Sequence, residues 1–591
     1  MILWILACTG VSMDGDAVGE PPAATANPFP NATLVEDGHV AIPEGLLPEF
    51  ETSWDLARLN WREGFSPVQP SVAMLPVPID PESLSGQVGL GTGGSVRLVD
   101  LDTGEEIVGF AELDAHPDAL DSGERTLIVR PMEAMTPGHD VAVVLTGAVT
   151  TGGRPIEAAD FPEWTARPEH ADLVARLADL GFDAEIAWEF PVGDGTALTR
   201  HLAASVGVPP AYTIERVLSI EEGSELPDGV WKKIEGTFTT DDWLVDDTIF
   251  EIGADGLPVA QGTTEAYLYV HVPESVRDAA PGTVPVVVFG HGILAEPDDY
   301  LDSDDDTSAV IELSNRMGAI FVATKWRGLT ADDQPEAVAV ARDFARFPEL
   351  TDKLTQGVAN TLALIRLVDE GTLLADPELA GLADPSRLYW YGISLGAIEG
   401  SVTLANQTRI EHAVLHVGGS AWATMLERSS NWPVFELLVE GAFDDPWERQ
   451  LLYATSQLLW DGVDPASYTE DLRGRTYLWQ EAIGDNQVPN ITTELFARSA
   501  GVPLGTPSKT EPLALQTVSL TTSAPALVQY DPELGEPDPV NRPPSDTGAH
   551  GQPRLWEGCI AQTAGFFVAG EEGTVAHYCG DGVCTASNRG E

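Results

Sequence analysis

Hydrophobic and polar positions divide the chain into two regions with different patterns. Between residue 34 and about residue 160, short apolar segments alternate with turn sequences; they include residues 72–77, 95–99, 126–130 and 140–145. Short strands at such intervals are typical of a β-sandwich. Nothing in this region gathers a nucleophile, a base and an acid, so we expect it to be a structural or binding module.

From about residue 234 the pattern changes to strands that alternate with helices. Residues 284–289 form a continuous apolar run, which is typical of a strand buried on both faces. The segments that follow are helix 308–317, strand 318–323, helix 352–369, strand 387–391, helix 395–405, strand 412–417 and strand 477–482. This alternation predicts a mostly parallel sheet with helices on both faces.

These patterns predict a multidomain chain. Its segments are a short apolar segment at 1–8, a flexible tether at 9–33, the sandwich at 34–160, a connecting helical and β segment at 161–233, an α/β domain at 234–570 and a cysteine-containing tail at 571–591. Residues 168–182 have the spacing of an amphipathic helix, which we expect to bridge the two domains. Residues 419–472, rich in large apolar side chains, predict a helical cap within the α/β domain.

The chain is strongly acidic. Its 591 residues include 31 Lys and Arg against 93 Asp and Glu, which gives a formal net charge of −62. Such a surface repels phosphate backbones and anionic headgroups, so nucleic-acid binding and electrostatic docking on membranes are disfavoured. No apolar run reaches the ~18 residues of a membrane span, which excludes a polytopic membrane protein.

The first eight residues resemble the end of a bacterial lipoprotein signal sequence. Residues 1–7 are apolar and run directly into Cys8, after which the chain becomes polar and acidic. In this resemblance residues 5–8 are the lipobox and Cys8 carries the lipid. We therefore expect an exported protein, either anchored at the bacterial cell surface or outer membrane through Cys8 or secreted. The alternative is an ordinary apolar N-terminus.

The remaining cysteines, Cys559, Cys579 and Cys584, lie near the C-terminus. Three thiols allow one disulfide and one leftover thiol, and the last two are spaced to close a small loop. A structural zinc site would need four ligands, and only His577 is nearby. An intramolecular disulfide is the better hypothesis, with its partners undecided. The carboxylates of 302–306 lack the glycine and distal glutamate of an EF-hand, so we predict a solvated helix start, no metal and no cofactor.

Residues 392–396, Gly-Ile-Ser-Leu-Gly, match the nucleophile-elbow pattern. Gly392 and Gly396 permit the sharp strand-to-helix turn that lifts the hydroxyl of Ser394 above a sheet. The context fits the pattern, since a predicted strand precedes the motif and a predicted helix follows it. The alternative interpretation is an ordinary Gly-Ser turn.

A serine that cleaves esters also needs amide donors for the developing oxyanion. One is the backbone N–H of Leu395, directly after the nucleophile. The other is expected in the loop after strand 284–289, at Gly292 or Ile293, with Ile293 favoured. His291 is expected to shape this loop rather than to act as a base.

The base should follow the serine along the chain. His550 lies in a late loop just before an apolar helical segment, where it can reach over the sheet. His577 is the alternative. His412 and His416 are four residues apart on one face of a strand, and we interpret them as sheet histidines with satisfied hydrogen bonds.

The acid that orients the base should follow a strand between the serine and the histidine. Asp485 meets this condition, because it comes just after strand 477–482. Asp461 and Asp464 are competitors, but they end a helical stretch, where capping or turning the chain is the better interpretation. Apolar cap residues could line an acyl pocket, although packing within the cap explains each of them equally well: Trp422, Met425, Trp432, Phe435, Trp447 and Trp460.

The α/β region resembles the α/β-hydrolase superfamily through residues 290–292, 392–396, 485–489 and 549–551. The full chain resembles exported bacterial proteins described as virulence-factor lipases, through the looser motifs at 27–30, 59–66, 128–131 and 137–138. That family pairs an immunoglobulin-like N-terminal region with a lipase or esterase domain. The resemblance implies an extracellular or surface-anchored carboxylic-ester hydrolase without a cofactor.

The sequence thus predicts a serine esterase or lipase that acts through Ser394, His550 and Asp485. Its partners would be small-molecule or lipid esters, and we expect a monomer that contacts membranes only through a lipid at Cys8. Two alternatives stay open: a serine peptidase on the same fold, and a surface adhesion or scaffold protein without catalytic activity.

Overall fold

The computed structural model describes residues 27–84, 94–122, 125–303, 309–535, 537–538, 540–568 and 572–590. The prediction of a lipid at Cys8 lies outside the described residues. The same holds for Asp304, Asp305 and Asp306 of the carboxylate cluster.

The first region contains two antiparallel sheets that share one apolar core. Its strands are β1 (Val35–Glu36), β2 (His39–Val40), β3 (Ser71–Ala73), β4 (Val96–Asp100), β5 (Glu106–Ile107), β6 (Gly109–Leu113), β7 (Leu127–Pro131), β8 (Asp140–Leu145) and β9 (Ile186–Pro191). One sheet has the order β3-β7-β6 and the other β5-β4-β8-β9, and Val129 and Val143 are buried in the same core between them. The prediction of an all-β immunoglobulin-like domain stays a prediction.

Helices also belong to this region: α1 (Ala57–Asn60), α2 (Pro117–Ser122), α3 (Pro162–Thr165) and α4 (Pro168–Asp179). The expectation that α4 bridges two domains was wrong. Its apolar residues Leu173 and Leu177 pack with Ala142 and Ala187 on the second sheet. The apolar stripe of this amphipathic helix is therefore buried within the first region. The first region also extends beyond its predicted boundary at residue 160, because β9 pairs with β8.

A twelve-stranded mixed sheet dominates the rest of the chain. The strands that follow β9 are β10 (Tyr212–Ser219), β11 (Val230–Asp242), β12 (Leu244–Val245), β13 (Ile249–Phe250), β14 (Gly262–Pro273), β15 (Val284–Gly290), β16 (Ile320–Ala323), β17 (Ala383–Ile393), β18 (His412–His416), β19 (Thr476–Ala482), β20 (Leu504–Thr506), β21 (Thr517–Ser519), β22 (Thr522–Ser523), β23 (Ala526–Asp531), β24 (Thr574–Val575) and β25 (Cys584–Thr585). The sheet has the order β10-β11-β14-β16-β15-β17-β18-β19-β23-β20-β21, with β25 beside β23. The first three strands are antiparallel, and the strands from β16 onward are parallel to one another.

The two faces of this sheet carry separate apolar cores. In β15, Val286 and Val288 face one core while Val287 and Phe289 face the other, as the period of two along a strand requires. All seven residues of β15 are buried, as the continuous apolar run predicted. The prediction of a large, mostly parallel sheet between helices is therefore confirmed.

The helices after α4 are α5 (Ala197–Ser205), α6 (Asp298–Leu301), α7 (Ala309–Met317), α8 (Gln334–Arg342), α9 (Pro348–Asp369), α10 (Leu395–Ala405), α11 (Trp422–Leu426), α12 (Pro433–Ala442), α13 (Pro446–Trp460), α14 (Thr469–Leu472), α15 (Asn490–Ala500) and α16 (Glu557–Phe566). Helices α9 and α10 pack on one face of the large sheet, and α7 and α16 pack on the other. Among the described residues, no helix combines the length and apolar character that crossing a bilayer requires.

The predicted C-terminal tail contributes β25 to the large sheet, where it pairs with β23, while β24 forms a separate two-stranded sheet with β22. Cys579 and Cys584 form a disulfide, which settles the pairing that the sequence left open. Cys559 is a free, buried cysteine.

Buried ion pairs join the first region to the cap. Arg130, 1% exposed, pairs with Glu112 of its own region at 2.6 Å and with Glu427 of the cap. Arg62 Nη1 lies 2.7 Å from Asp461 Oδ2. A buried charge is costly unless it is paired, so these contacts hold the two parts in one arrangement.

Apolar packing continues the same junction. The core between the two small sheets includes Trp447, Leu451 and Leu458 of α13. A helix of the cap therefore completes the core of the first region, and the two parts share buried surface.

We expect Arg130→Ala to lower the free energy of unfolding by about 3–5 kcal/mol, because it leaves the buried Glu427 without its cation. The matched control is Arg154→Ala, which removes an exposed ion pair with Asp160 and should leave the free energy of unfolding nearly unchanged. Urea unfolding followed by tryptophan fluorescence measures both variants. Equal losses would contradict a junction held by buried charge.

Candidate active site

Ser394 occupies a strained turn between β17 and α10. Its backbone has φ 56° and ψ −118°, a conformation that costs a residue with a side chain free energy. The turn is held because the Ser394 N–H donates to the His416 carbonyl at 2.9 Å, while the Ser394 carbonyl accepts from the Ala397 N–H at 2.8 Å. The side chain of Ser394 lines a cavity at the carboxyl edge of the sheet.

Three glycines make this turn possible. A Cβ at Gly392 would lie 2.0 Å from the carbonyl oxygen of Gly396, and a Cβ at Gly396 would lie 2.0 Å from that of Gly290. The backbone is therefore in direct contact where β15 and β17 end and α10 begins, which leaves no space for a side chain. Only glycine fits at these positions.

The loop after β15 is shaped by His291, as the sequence analysis expected. The ring is buried, and burial lowers its pKa to about 4. Its Nε2 accepts the Trp326 N–H at 3.0 Å, so the proton is on Nδ1, which donates to the Gly292 carbonyl at 2.9 Å. Both ring nitrogens are engaged, which leaves neither to act as a base.

The predicted oxyanion donors differ in their contacts. Neither the Leu395 N–H nor the Ile293 N–H has an acceptor in the part of the chain that the structure describes. Both residues line the cavity that also contains Ser394. Gly292 is different, since its N–H donates to the hydroxyl of Tyr300.

The structure brings Asp485 and His550 together. His550 Nδ1 lies 2.6 Å from Asp485 Oδ2, and both side chains are buried. The other carboxylate oxygen accepts the N–H groups of Gln487 at 2.9 Å and Val488 at 3.1 Å. The carboxylate is thus held in one orientation, and the Nε2 of His550 faces away from it.

Hydrogen bonds fasten the loop after β19 to the loop that carries His550. Asn486 Nδ2 donates to the Ser545 carbonyl at 2.6 Å, and Thr547 Oγ1 donates to the Gly484 carbonyl at 2.9 Å. These contacts join two loops that are about sixty residues apart in the chain. They position the histidine independently of the sheet itself.

His416 connects this pair to the serine turn. Its carbonyl accepts the Ser394 N–H, and its Nδ1 lies 2.9 Å from Gln480 Oε1 of β19, the strand that leads to Asp485. Burial lowers the pKa of the His416 ring to about 3. His550, which binds Asp485, therefore lies at the same edge of the sheet as Ser394. All three predicted catalytic residues follow the carboxyl ends of parallel strands, where α/β sheets place their sites.

The alternative histidines occupy other positions. His416 is fully buried with Nδ1 2.9 Å from Gln480 Oε1, but its Nε2 has no hydrogen-bond partner among the described residues, so the expectation of satisfied hydrogen bonds holds for only one ring nitrogen. His412 begins β18, at the opposite end of the strand from the serine turn. His577 Nε2 donates to the Gly582 carbonyl at 2.8 Å, within the disulfide loop.

The competing aspartates hold the chain in place. Asp461 binds Arg62 and Ser66, and burial raises its pKa to about 6. Asp464 accepts the backbone N–H groups at the start of α11 and the Ala466 N–H at 3.0 Å. Capping, as expected from the sequence, accounts for its contacts.

An apolar cavity of about 930 Å³, including its open mouth, lies next to Ser394. Five of the six cap residues singled out from the sequence line it: Trp422, Met425, Trp432, Phe435 and Trp460. The rings of Trp422 and Trp460 are stacked at 4.6 Å in its wall. Trp447 is different, because it packs in the core of the first region.

In the described part of the chain, one group of side chains has its ligand atoms close enough together to bind a metal ion: Asp100, Asp102 and His139. Asp100 already accepts from His139 Nδ1 at 2.7 Å and from the N–H groups of Asp102 and Thr103. Hydrogen bonding within the loop accounts for its geometry. Asp302 of the other carboxylate cluster binds Lys233.

No protein-family model matches the sequence, and no curated protein matches it. Among solved structures, the chain is similar to an acetyl xylan esterase from Paenibacillus sp. R4, with 15% identity over 56% of this chain and 85% of that chain and a TM-score of 0.32. It is also similar to acetyl xylan esterase 1 from Thermoanaerobacterium sp. JW/SL YS485, with 13% identity, 60% and 90% coverage and a TM-score of 0.34. An esterase from Pyrobaculum calidifontis matches with 14% identity, 63% and 88% coverage and a TM-score of 0.27. Likeness of this size establishes neither the family nor the activity of this chain, and the virulence-factor lipase family is not shown.

We expect Gly396→Ala to disrupt the serine turn, because its Cβ would lie 2.0 Å from the Gly290 carbonyl oxygen. The strain should lower the free energy of unfolding by roughly 1–3 kcal/mol, the range for overpacking. Gly207→Ala is the control, since a Cβ there meets nothing within 4 Å. Thermal unfolding by circular dichroism compares the two variants, and a fully stable Gly396→Ala would refute the crossing as described.

Proposed function

We propose that this chain hydrolyses carboxylic esters through an acyl-enzyme on Ser394. The observation that carries the proposal is the hydrogen-bonded Asp485 and His550 pair at the sheet edge where the strained serine turn lies. Two amides without acceptors and an apolar cavity border the same serine. A nucleophile, an oriented base, oxyanion donors and a substrate cavity are the parts that acyl transfer needs.

The reaction would proceed in two halves. His550 Nε2 takes the proton of Ser394 Oγ as the oxygen attacks the ester carbonyl, and Asp485 holds the imidazole in the tautomer that accepts it. The amides of Ile293 and Leu395 stabilise the tetrahedral oxyanion. The histidine then gives its proton to the leaving alcohol, and water repeats the sequence to release the acid.

The cavity supports an ester whose acyl part is apolar. Its wall is formed largely by aliphatic and aromatic side chains of α8, α11, α12 and α13. An acyl chain in this space removes apolar surface from water, at about 25 cal/mol for each Å² buried. A polar acyl group would lose hydration against the apolar part of this wall, where it finds no hydrogen-bond partner.

Export and lipid anchoring at Cys8 remain proposals. The disulfide between Cys579 and Cys584 supports an oxidising compartment, where such bonds persist. Ester substrates that reach the protein outside the cytoplasm would be consistent with that location.

We expect Ser394→Ala to lower kcat for p-nitrophenyl esters by about 10,000-fold or more, because the nucleophile is lost. The exposed Ser386→Ala is the control and should keep full activity. The full chain is assayed on esters from acetate to palmitate and, in parallel, on peptide p-nitroanilides. Full activity of Ser394→Ala would overturn the proposal, and activity on anilides alone would establish a peptidase.

We expect Ala337→Trp to shorten the range of acyl chains that the protein accepts. Ala337 lines the cavity, so the indole should lower kcat/KM for the longest accepted ester by about 10-fold or more while acetate changes little. Ala339→Trp on the same helix is the matched control, because Ala339 is also half-buried but does not line the cavity. If both variants change the chain-length profile alike, the cavity is not the acyl site.

A further inference from the structure

Tyr300 lies beside the serine turn, although it follows the oxyanion loop by several residues. A Cβ placed on Gly292 would lie 2.5 Å from the Tyr300 hydroxyl oxygen and 3.7 Å from Ser394 Cβ. The hydroxyl and the serine therefore border the same point in space, on the side of the predicted oxyanion loop. The ring is held there by Phe289 of β15, with ring centroids 5.5 Å apart.

The hydrogen bonds at Gly292 leave the proton of this hydroxyl available. The Gly292 N–H donates to Tyr300 Oη, and the Gly292 carbonyl accepts from His291. Because the tyrosine oxygen accepts in this contact, its own O–H can donate elsewhere.

The surroundings keep the hydroxyl protonated at neutral pH. Burial raises the pKa of Tyr300, against smaller opposing effects from the charge of Arg554 and the Gly292 N–H. A protonated phenol can serve as a hydrogen-bond donor to an anion.

Arg554 adds positive charge to this side of the site. A Cβ placed on Gly551, directly after His550, would lie 3.3 Å from Arg554 Nη1, so the guanidinium lies beside the loop that carries His550. Its Nε is buried and has no hydrogen-bond partner in the described part of the chain. A cation there favours negative charge that develops at the serine.

We propose that the Tyr300 hydroxyl is a third donor to the oxyanion, together with the amides of Ile293 and Leu395. In this role Gly292 acts indirectly, because its N–H orients the hydroxyl instead of contacting substrate. The phenol donates a hydrogen bond and keeps its proton throughout, so no bond breaks at the tyrosine. This inference rests on the proposed esterase activity.

The test compares the wild type, Tyr300→Phe, Ser394→Ala and Tyr267→Phe. Removing one oxyanion donor costs about 100-fold or more in kcat, and KM should change little because the contact forms only in the transition state. Tyr267→Phe is the matched control, since it removes a hydroxyl that binds Asp298 at the start of the same short helix α6. It should keep the activity of the wild type.

A second measurement separates catalysis from folding. An alkyl trifluoromethyl ketone adds to the serine as a tetrahedral adduct, so its Ki should rise in Tyr300→Phe by the factor that kcat/KM falls. If Tyr300→Phe folds poorly, Tyr300→Ala assayed with added phenol or toluene replaces it, and rescue by phenol alone is expected.

The outcomes distinguish the two proposals. Wild-type activity that is abolished in Ser394→Ala but unchanged in Tyr300→Phe overturns the role of Tyr300 and leaves the esterase standing. Equal rescue by phenol and toluene, or a Ki that does not follow kcat/KM, also overturns it. A wild type without esterase activity overturns both.

Discussion

The crossing of three backbone segments at Gly290, Gly392 and Gly396 is the constraint on which the site depends. Carbonyl oxygens occupy the space that side chains would need there, so β15, β17 and α10 meet at one distance only. Ser394 adopts its positive-φ turn at this crossing, and Leu395 and Ile293 line the same cavity as the serine. Strain at the serine is maintained because the packed sheet on both sides does not allow the turn to relax.

Charge imposes a second constraint on this very acidic chain. With 31 cationic against 93 acidic residues, most carboxylates must face water, and a buried carboxylate needs either a cation or several hydrogen-bond donors. Arg62 and Arg130 meet that need for Asp461 and Glu427 at the junction between the first region and the cap. The first region therefore supports the cap helices that form the cavity wall. A separate binding module would not share buried contacts with the cap in this way.

Loops, more than strands, bring the proposed catalytic residues together. Asp485 and His550 are 65 residues apart, and hydrogen bonds between their two loops bring them within 2.6 Å. Tyr300 reaches the same centre from a four-residue helix because Gly292 has no side chain in its way. The rigid sheet sets where each loop begins, and local polar contacts determine where each side chain points.

Local pattern was sufficient for the elements and for the motif. Helix α10 spans the predicted residues 395–405, and the continuous apolar run forms the fully buried strand β15. Both could be predicted because the spacing of apolar residues within a short segment indicates which of its faces are buried. The tertiary structure alone decided that α4 covers a small sheet, that α13 completes the core of the first region and that Cys579 pairs with Cys584. It also decided that Tyr300 lies at Gly292. These contacts depend on how the surfaces of separate elements pack and on which charges pair. They produce no periodic pattern within a single segment, so the sequence of that segment does not predict them.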